Sequence, residues 1–231
     1  MDWETPPKRA EWTENRLIES ILEGHFPINA TLPSERELAT QLGITRPTLR
    51  EALQRLARDG WLEIHQGRPT RVRDFWREGN LGVLGAIARS QSHLPPDFVP
   101  DLLEVRLHLA PIYTRAAIRH QSEHITNLLT DYLNLDDEPQ TFAQVDWELH
   151  YHLTIASGNP VYTLILNGFD DLYKNMAPIY FSLERTREHS RAFYRQLHRA
   201  AQAADTEAAE RITRQVMHDT LDLWRLAAEQ R

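Results

Sequence analysis

There is no cysteine among the 231 residues. That excludes structural disulfides, thiolate nucleophiles and cysteine-ligated zinc, and it suits a reducing, cytoplasmic setting. No stretch approaches the roughly 18 consecutive apolar residues a membrane span requires. The acidic start, MDWETPPKRAEW, lacks the apolar core expected of a secretory leader. Neither internal repeat nor low-complexity tract is visible. What remains is ordinary globular composition, 41% hydrophobic and 26% charged, long enough for one large domain or two modest ones.

A net charge of −7 argues at first against a polyanionic partner, but the charge is unevenly distributed. Residues 1–78 hold 12 Lys/Arg against 13 Asp/Glu, whereas residues 79–231 hold 14 against 20. Within 46–73 there are seven arginines and three acids, and it is local sign that governs phosphate contact.

The apolar positions Leu17, Ile18, Ile21 and Leu22 place one helix over about 12–24, ended by Pro27. Ser34 stands three residues before Glu37, a capping box that opens a second, short helix at about Glu35 and ends near Gly43. Thr45 caps a third, with Pro47 in its first turn and Leu49, Ala52, Leu53 and Leu56 facing inward, as far as Asp59-Gly60. Trp61–His65 and Thr70–Arg73 alternate like strands around a Gln66-Gly67-Arg68-Pro69 turn. Three helices followed by a β-hairpin is the order of a winged helix-turn-helix. Three glycines in Phe75–Gly85 mark a junction (linker about 74–85), giving a winged helix-turn-helix domain at 1–76 and a second domain at 77–231. The second is helical in pattern: Leu102, Val105, Leu109, Ile112 and Tyr113 share a face, as do Leu128, Leu129, Tyr132 and Leu135. Pro95-Pro96, Pro139 and Gly158-Asn159-Pro160 punctuate it, and 204–229 forms a long last helix. The fold class is mainly α, a winged helix-turn-helix followed by an all-α bundle of about six or seven helices.

Arg46 and Arg50 lie four residues apart on one face at the front of the third helix, beside the Leu49/Leu53/Leu56 stripe. Arginines so placed reach guanine O6 and N7 bidentately. Arg36 can join them, Thr45 and Thr48 offer hydroxyls to phosphates, and the wing tip His65-Gln66-Gly67-Arg68 suits a minor-groove or backbone contact. Each arginine alone reads equally as a solvated helix face; capping box, short turn, arginine pair and hairpin together favour DNA.

In the second half, Asp146 and His150 share a helix face and can ligate one metal, with His198 and His218 on later helices as further ligands. The alternative for His150 is a hydrogen-bonded core histidine. Tyr173, Met176, Tyr180, Phe181 and Trp224 can wall an apolar pocket or simply form core. Arg106, on an inward-looking face, can meet an anionic group or form a buried ion pair. No nucleophile and general-base pair is apparent, so the chain does not read as an enzyme.

The run PSERELATQLGITRPTLREALQRLARDGWL at 33–62 resembles the GntR family of bacterial regulators, and the remainder resembles its branch with a seven-helix, FCD-type effector domain. Phe75-Trp76, ASGNPVYTLILNG at 156–168 and HDTLDLW at 218–224 resemble the fatty-acid-responsive members of that branch, along essentially the whole chain. The resemblance implies a transcription regulator that binds a palindromic operator in double-stranded DNA as a homodimer, touching it with Arg36, Thr45, Arg46, Thr48, Arg50 and the wing Gly67. These relatives place His directly before the wing glycine; here Gln66 intervenes. It further implies long-chain acyl-CoA as ligand, bound near Tyr173, Tyr180, His218, Thr220 and Trp224, where Arg106 could meet its anionic part, with no cofactor required, and release from DNA when it binds. Many FCD-type domains instead hold zinc or nickel on an Asp-x3-His pair and two further histidines. That implies Asp146, His150 and His218 as ligands here and a metal-bound carboxylate metabolite as the alternative effector; the middle histidine's position falls near Tyr194–Gln196, where none stands.

Overall fold

The computed structural model describes residues 9–89, 94–95 and 97–229. Pro96 and the first eight residues of the acidic start lie outside them. The chain divides into two compact units, Met1–Leu94 and Pro95–Arg231.

In the first unit, α1 (Arg9–Leu22) buries Leu17, Ile18 and Ile21. Helix α2 (Glu35–Leu42) begins at the capping box read from the sequence, with Ser34 and Glu37 satisfying each other's backbone N–H groups. It ends at Gly43, whose left-handed φ of 64° closes the last turn. Helix α3 (Arg46–Asp59) starts at Thr45, whose hydroxyl accepts from the Thr48 N–H, and buries Leu49, Ala52, Leu53 and Leu56. It stops at Gly60 (φ 100°), where an added Cβ would lie 2.9 Å from the Gly79 Cα, so only glycine meets both the conformation and the space.

The wing strands are shorter than their alternation suggests: β1 is Leu62–Glu63 and β2 is Arg71–Val72, antiparallel. Trp61 is drawn out of β1 because its N–H closes the end of α3 on the Leu56 carbonyl and its ring packs, fully buried, on Phe75. Helices α4 (Phe75–Glu78) and α5 (Leu81–Arg89) follow. A domain end at residue 76 would leave α5 outside the first unit, yet Val83, Ala86 and Ile87 are buried and α5 packs on α1 and α3. Asn80 ties the junction by donating to the Arg58 carbonyl.

The second unit contains six α-helices among the described residues. Helix α6 (Phe98–Asp131) is broken at Gln121, whose φ of −145° and ψ of 47° separate its two apolar faces into two rods. The first face differs from expectation. Val105 and Ile112 are 46% and 49% exposed, because the buried stripe runs instead through Ala110, Tyr113, Ala117 and Ile118. A 3-10 turn (Tyr132–Asn134) leads to α7 (Pro139–Ala156), α8 (Pro160–Asn167), α9 (Asp170–Tyr180), α10 (Glu184–Gln202) and α11 (Thr206–Glu229). Helix α11 packs along α6, and α7 and α10 complete the core around Phe142, Leu149, Tyr194 and Leu197. Helix α8, although strongly apolar, contains no fully buried residue. No helix among the described residues is long and apolar enough to cross a membrane.

Candidate nucleic-acid interface and ligand cavity

The first unit presents its arginines outward. Arg46 and Arg50 are 57% and 59% exposed, and both face Glu35 at the start of α2. The Arg50 Nε donates to Glu35 Oε2 at 2.7 Å, while the nearest Arg46 nitrogen stands 3.8 Å from the same oxygen. Arg36 and Thr45 are exposed beside them, and Thr48, half-buried, keeps its hydroxyl 2.8 Å from that of Thr45. In the wing, Gln66, Gly67 and Arg68 are exposed, with Gly67 at φ 75° and open space where a side chain would project. The exposed His65 ring lies 2.8 Å from Glu63, whose carboxyl is held below the ordinary range by hydrogen bonds first from Arg71 and then from His65. The arrangement is a short helix with two guanidinium groups at its front, flanked by a glycine-tipped hairpin. It can enter a major groove while the hairpin meets the backbone.

The second unit holds a partly open cavity of about 140 Å³. Its apolar wall comes from several helices, including Leu102 and Leu109 of α6, Ile165 of α8, Met176 of α9 and Trp224 of α11. On one side stands a buried polar cluster. Arg106 donates to Asp146 Oδ2 at 2.9 Å, Tyr173 donates to the same oxygen, and Tyr194 donates to Oδ1 at 3.2 Å. The Arg106 guanidinium also lies 5.5 Å from the Tyr173 ring centre. Burial alone would drive the Asp146 carboxyl up, but Arg106 and then its other partners hold it below its ordinary value. Burial likewise opposes charge on Arg106, and Asp146 more than restores it. His150 Nδ1 lies 2.7 Å from the Tyr113 hydroxyl, and its other nitrogen has no hydrogen-bond partner, standing 3.9 Å from Asp146.

Burial, reinforced by the Arg106 charge, pushes the His150 pKa down to about 3, so the ring is neutral in the fold. An unfolded chain binds a proton there below about 6.5, the ordinary value, while the folded one does not. Stability is therefore expected to fall as pH drops from 6.5 towards 3, with this group contributing a slope of up to about 1.4 kcal/mol per pH unit. Urea unfolding at several pH values should show that slope in the native chain and its loss in His150→Gln. Identical profiles for the two would mean that His150 does not titrate as described.

Of the residues expected around a ligand, Arg106, Tyr173, Tyr180, Thr220 and Trp224 line the cavity, as do Met176 and Phe181. The Tyr180 hydroxyl is buried facing Thr220, and burial raises its pKa to about 12. His218 does not join them. It is 66% exposed, beside Asp219, because the inward face of α11 carries Met217, Thr220 and Trp224. This corrects its assignment both as an effector contact and as a metal ligand. His198 also lies elsewhere, 3.0 Å from the Thr130 hydroxyl. The residues present do not fit zinc or nickel. Both Asp146 oxygens are engaged by Arg106, Tyr173 and Tyr194, a cation already sits against the carboxylate, and no group of three or more metal-ligating side chains occurs among the described residues. Tyr194 occupies the stretch where a middle histidine was sought, and it and Tyr113 are the polar partners the sequence reading missed. Glu35 was missed on the other unit; its place at the first residue of α2, the helix before the arginine helix, was the available signal.

A winged helix-turn-helix with outward arginines, joined to a helical unit that holds a cavity, defines a transcription regulator of two parts. Residues 10–72 match the model of bacterial regulatory proteins of the gntR family, and residues 73–230 match the FadR C-terminal domain. The chain belongs to the GntR family and is of its FadR type. It is 44% identical over 193 residues to a fatty acid metabolism regulator protein of Shewanella frigidimarina, covering 84% of this chain and 81% of that one. It is 39% identical over 215 residues to the protein of the same name from Klebsiella pneumoniae, covering 93% and 90%. Among solved structures it resembles Lar, described as controlling expression of the Listeria monocytogenes agr system, with a TM-score of 0.56 at 15% identity and coverage of 97% and 99%; that likeness concerns the fold alone. These relatives are regulators of transcription, and so is this chain; it is not an enzyme.

Proposed function

We propose that this chain binds a palindromic operator as a homodimer and releases it when a long-chain acyl-CoA enters the cavity of the helical unit. The observation that carries the reading is the cavity itself: a space with mostly apolar walls and a few polar groups, in a chain whose relatives are named for fatty acid metabolism. Apolar walls suit an alkyl chain, and a few converging polar groups suit its orientation. A space of about 140 Å³ is of the order that takes a benzene-sized molecule, so a long acyl chain must part the helices further. That requirement couples binding to a change of shape. Release from DNA follows only if the parted form holds ligand more tightly than the DNA-competent form does. A dimer would present two copies of α3 to half-sites one helical turn apart, about 34 Å. The reading requires no cofactor.

Oleoyl-CoA titrated into a mobility-shift assay is the test. The probe is a duplex recovered by the chain from a randomised pool. The shifted band should disappear as ligand approaches saturation, whereas free coenzyme A should leave it intact. A band unchanged at saturating oleoyl-CoA would overturn the ligand assignment. Stoichiometric zinc or nickel in the purified protein, lost in His150→Ala, would favour a metal-centred sensor instead.

A further inference from the structure

We infer that Glu35 is a positioning residue for the DNA-reading arginines, setting how strongly the chain prefers its own sequence over any other duplex. The inference rests on the DNA-binding reading of α3. A carboxylate is out of place on a surface meant for phosphates, where it subtracts from the general attraction. Its presence therefore calls for a reason. The first turn of a helix favours acids, and that alone would account for its location. Capping does not need it, however, because Glu37 already closes the box with Ser34. Nor does the Glu35 side chain stay with its own helix: Oε2 takes the Arg50 Nε at 2.7 Å and stands 3.8 Å from Arg46, on the next helix.

Which arginine atoms it takes is the informative part. Bidentate recognition of guanine uses two guanidinium N–H groups directed together at O6 and N7. By engaging Nε, Glu35 restrains the plane of the Arg50 head, while its two terminal nitrogens make no hydrogen bond among the described residues and stay available end-on. Arg46, at ion-pair but not hydrogen-bond distance, is tethered and keeps its donors. With Glu35 35% exposed and each arginine more than half exposed, the pairing does little for folding stability, since exposed ion pairs contribute little. The same negative charge penalises complexes held only by phosphates. Orientation and penalty act in one direction, raising the ratio of specific to non-specific binding.

Glu35→Gln keeps the size and an acceptor but removes the charge. The full-length native chain first selects a preferred duplex from a randomised pool. Both proteins are then titrated with that duplex and with one of the same composition in shuffled order. For Glu35→Gln, binding to the shuffled duplex should tighten about threefold, with a log-affinity against log-salt slope steeper by about one for each subunit bound, as expected for one carboxylate fewer per subunit. Binding to the selected duplex should weaken about tenfold through loss of arginine orientation, so the preference collapses about thirtyfold. Glu35→Asp should recover part of it. A preference unchanged within about twofold would overturn the inference while leaving DNA binding intact. So would a parallel loss on both duplexes accompanied by a lower melting temperature, the signature of a merely structural role. Failure of the native chain to select any duplex would instead overturn the DNA reading beneath it.

Discussion

Arg46→Ala should weaken binding to the preferred duplex by about 1–3 kcal/mol for each half-site, or roughly 5- to 150-fold, while a shuffled duplex loses only the contribution of one charge. The asymmetry distinguishes a base-reading arginine from a phosphate clamp, and fluorescence anisotropy on the two duplexes measures it. The exposure of Arg46 and its position at the first residue of α3 support the larger figure for sequence-specific binding. Because the Arg46 side chain is mostly exposed and is not among the buried residues of α3 that the fold depends on, thermal stability should be unchanged. Equal losses on the two duplexes would demote Arg46 to backbone contact.

The second large effect concerns the interior of the helical unit. Asp146→Ala should destabilise it by about 3–5 kcal/mol, the usual cost of leaving one partner of a buried pair charged and alone. Arg106 would remain in a largely apolar cavity, and Tyr173 and Tyr194 would lose their acceptor. Replacing the pair together, Arg106→Met with Asp146→Leu, should recover most of that loss, because burying two charges has its own desolvation cost. Urea unfolding of the full-length single and double variants, followed by circular dichroism, gives the comparison. A loss below about 1 kcal/mol in the single variant would mean that water or another group takes over the guanidinium, contrary to the burial described.

The first unit was largely legible in its sequence because its signals are local. The capping box at Ser34-Glu37, the Thr45 cap and the glycines at 43 and 60 act within a few residues of themselves, and α2 and α3 begin and end where they indicate. The wing was overextended because alternation cannot report that Trp61 is claimed by the end of α3 and by Phe75. In the helical unit, spacing paired Asp146 with His150 and singled out Arg106 but could not join Arg106 to Asp146, 40 positions apart, since such pairing is set by how helices pack. His218 was misplaced although the necessary pattern was present: Thr213, Val216, Met217, Thr220 and Leu223 define the inward face of α11, and position 218 is off it. The exposed Val105 and Ile112 show the converse, apolar residues that periodicity assigns inward and packing leaves outside.

The approach of Gly60 to Gly79 carries a consequence for how this chain can vary. Any methyl at position 60 would drive like a wedge between the tail of the arginine helix and the turn entering α5, and one at position 79 would strike the Phe75 carbonyl oxygen at 2.4 Å. The two sites form a hinge pin with no tolerance. The reading head and the segment leaving it are thereby locked in a single register, and substitutions elsewhere in the wing can retune sequence preference without loosening that joint.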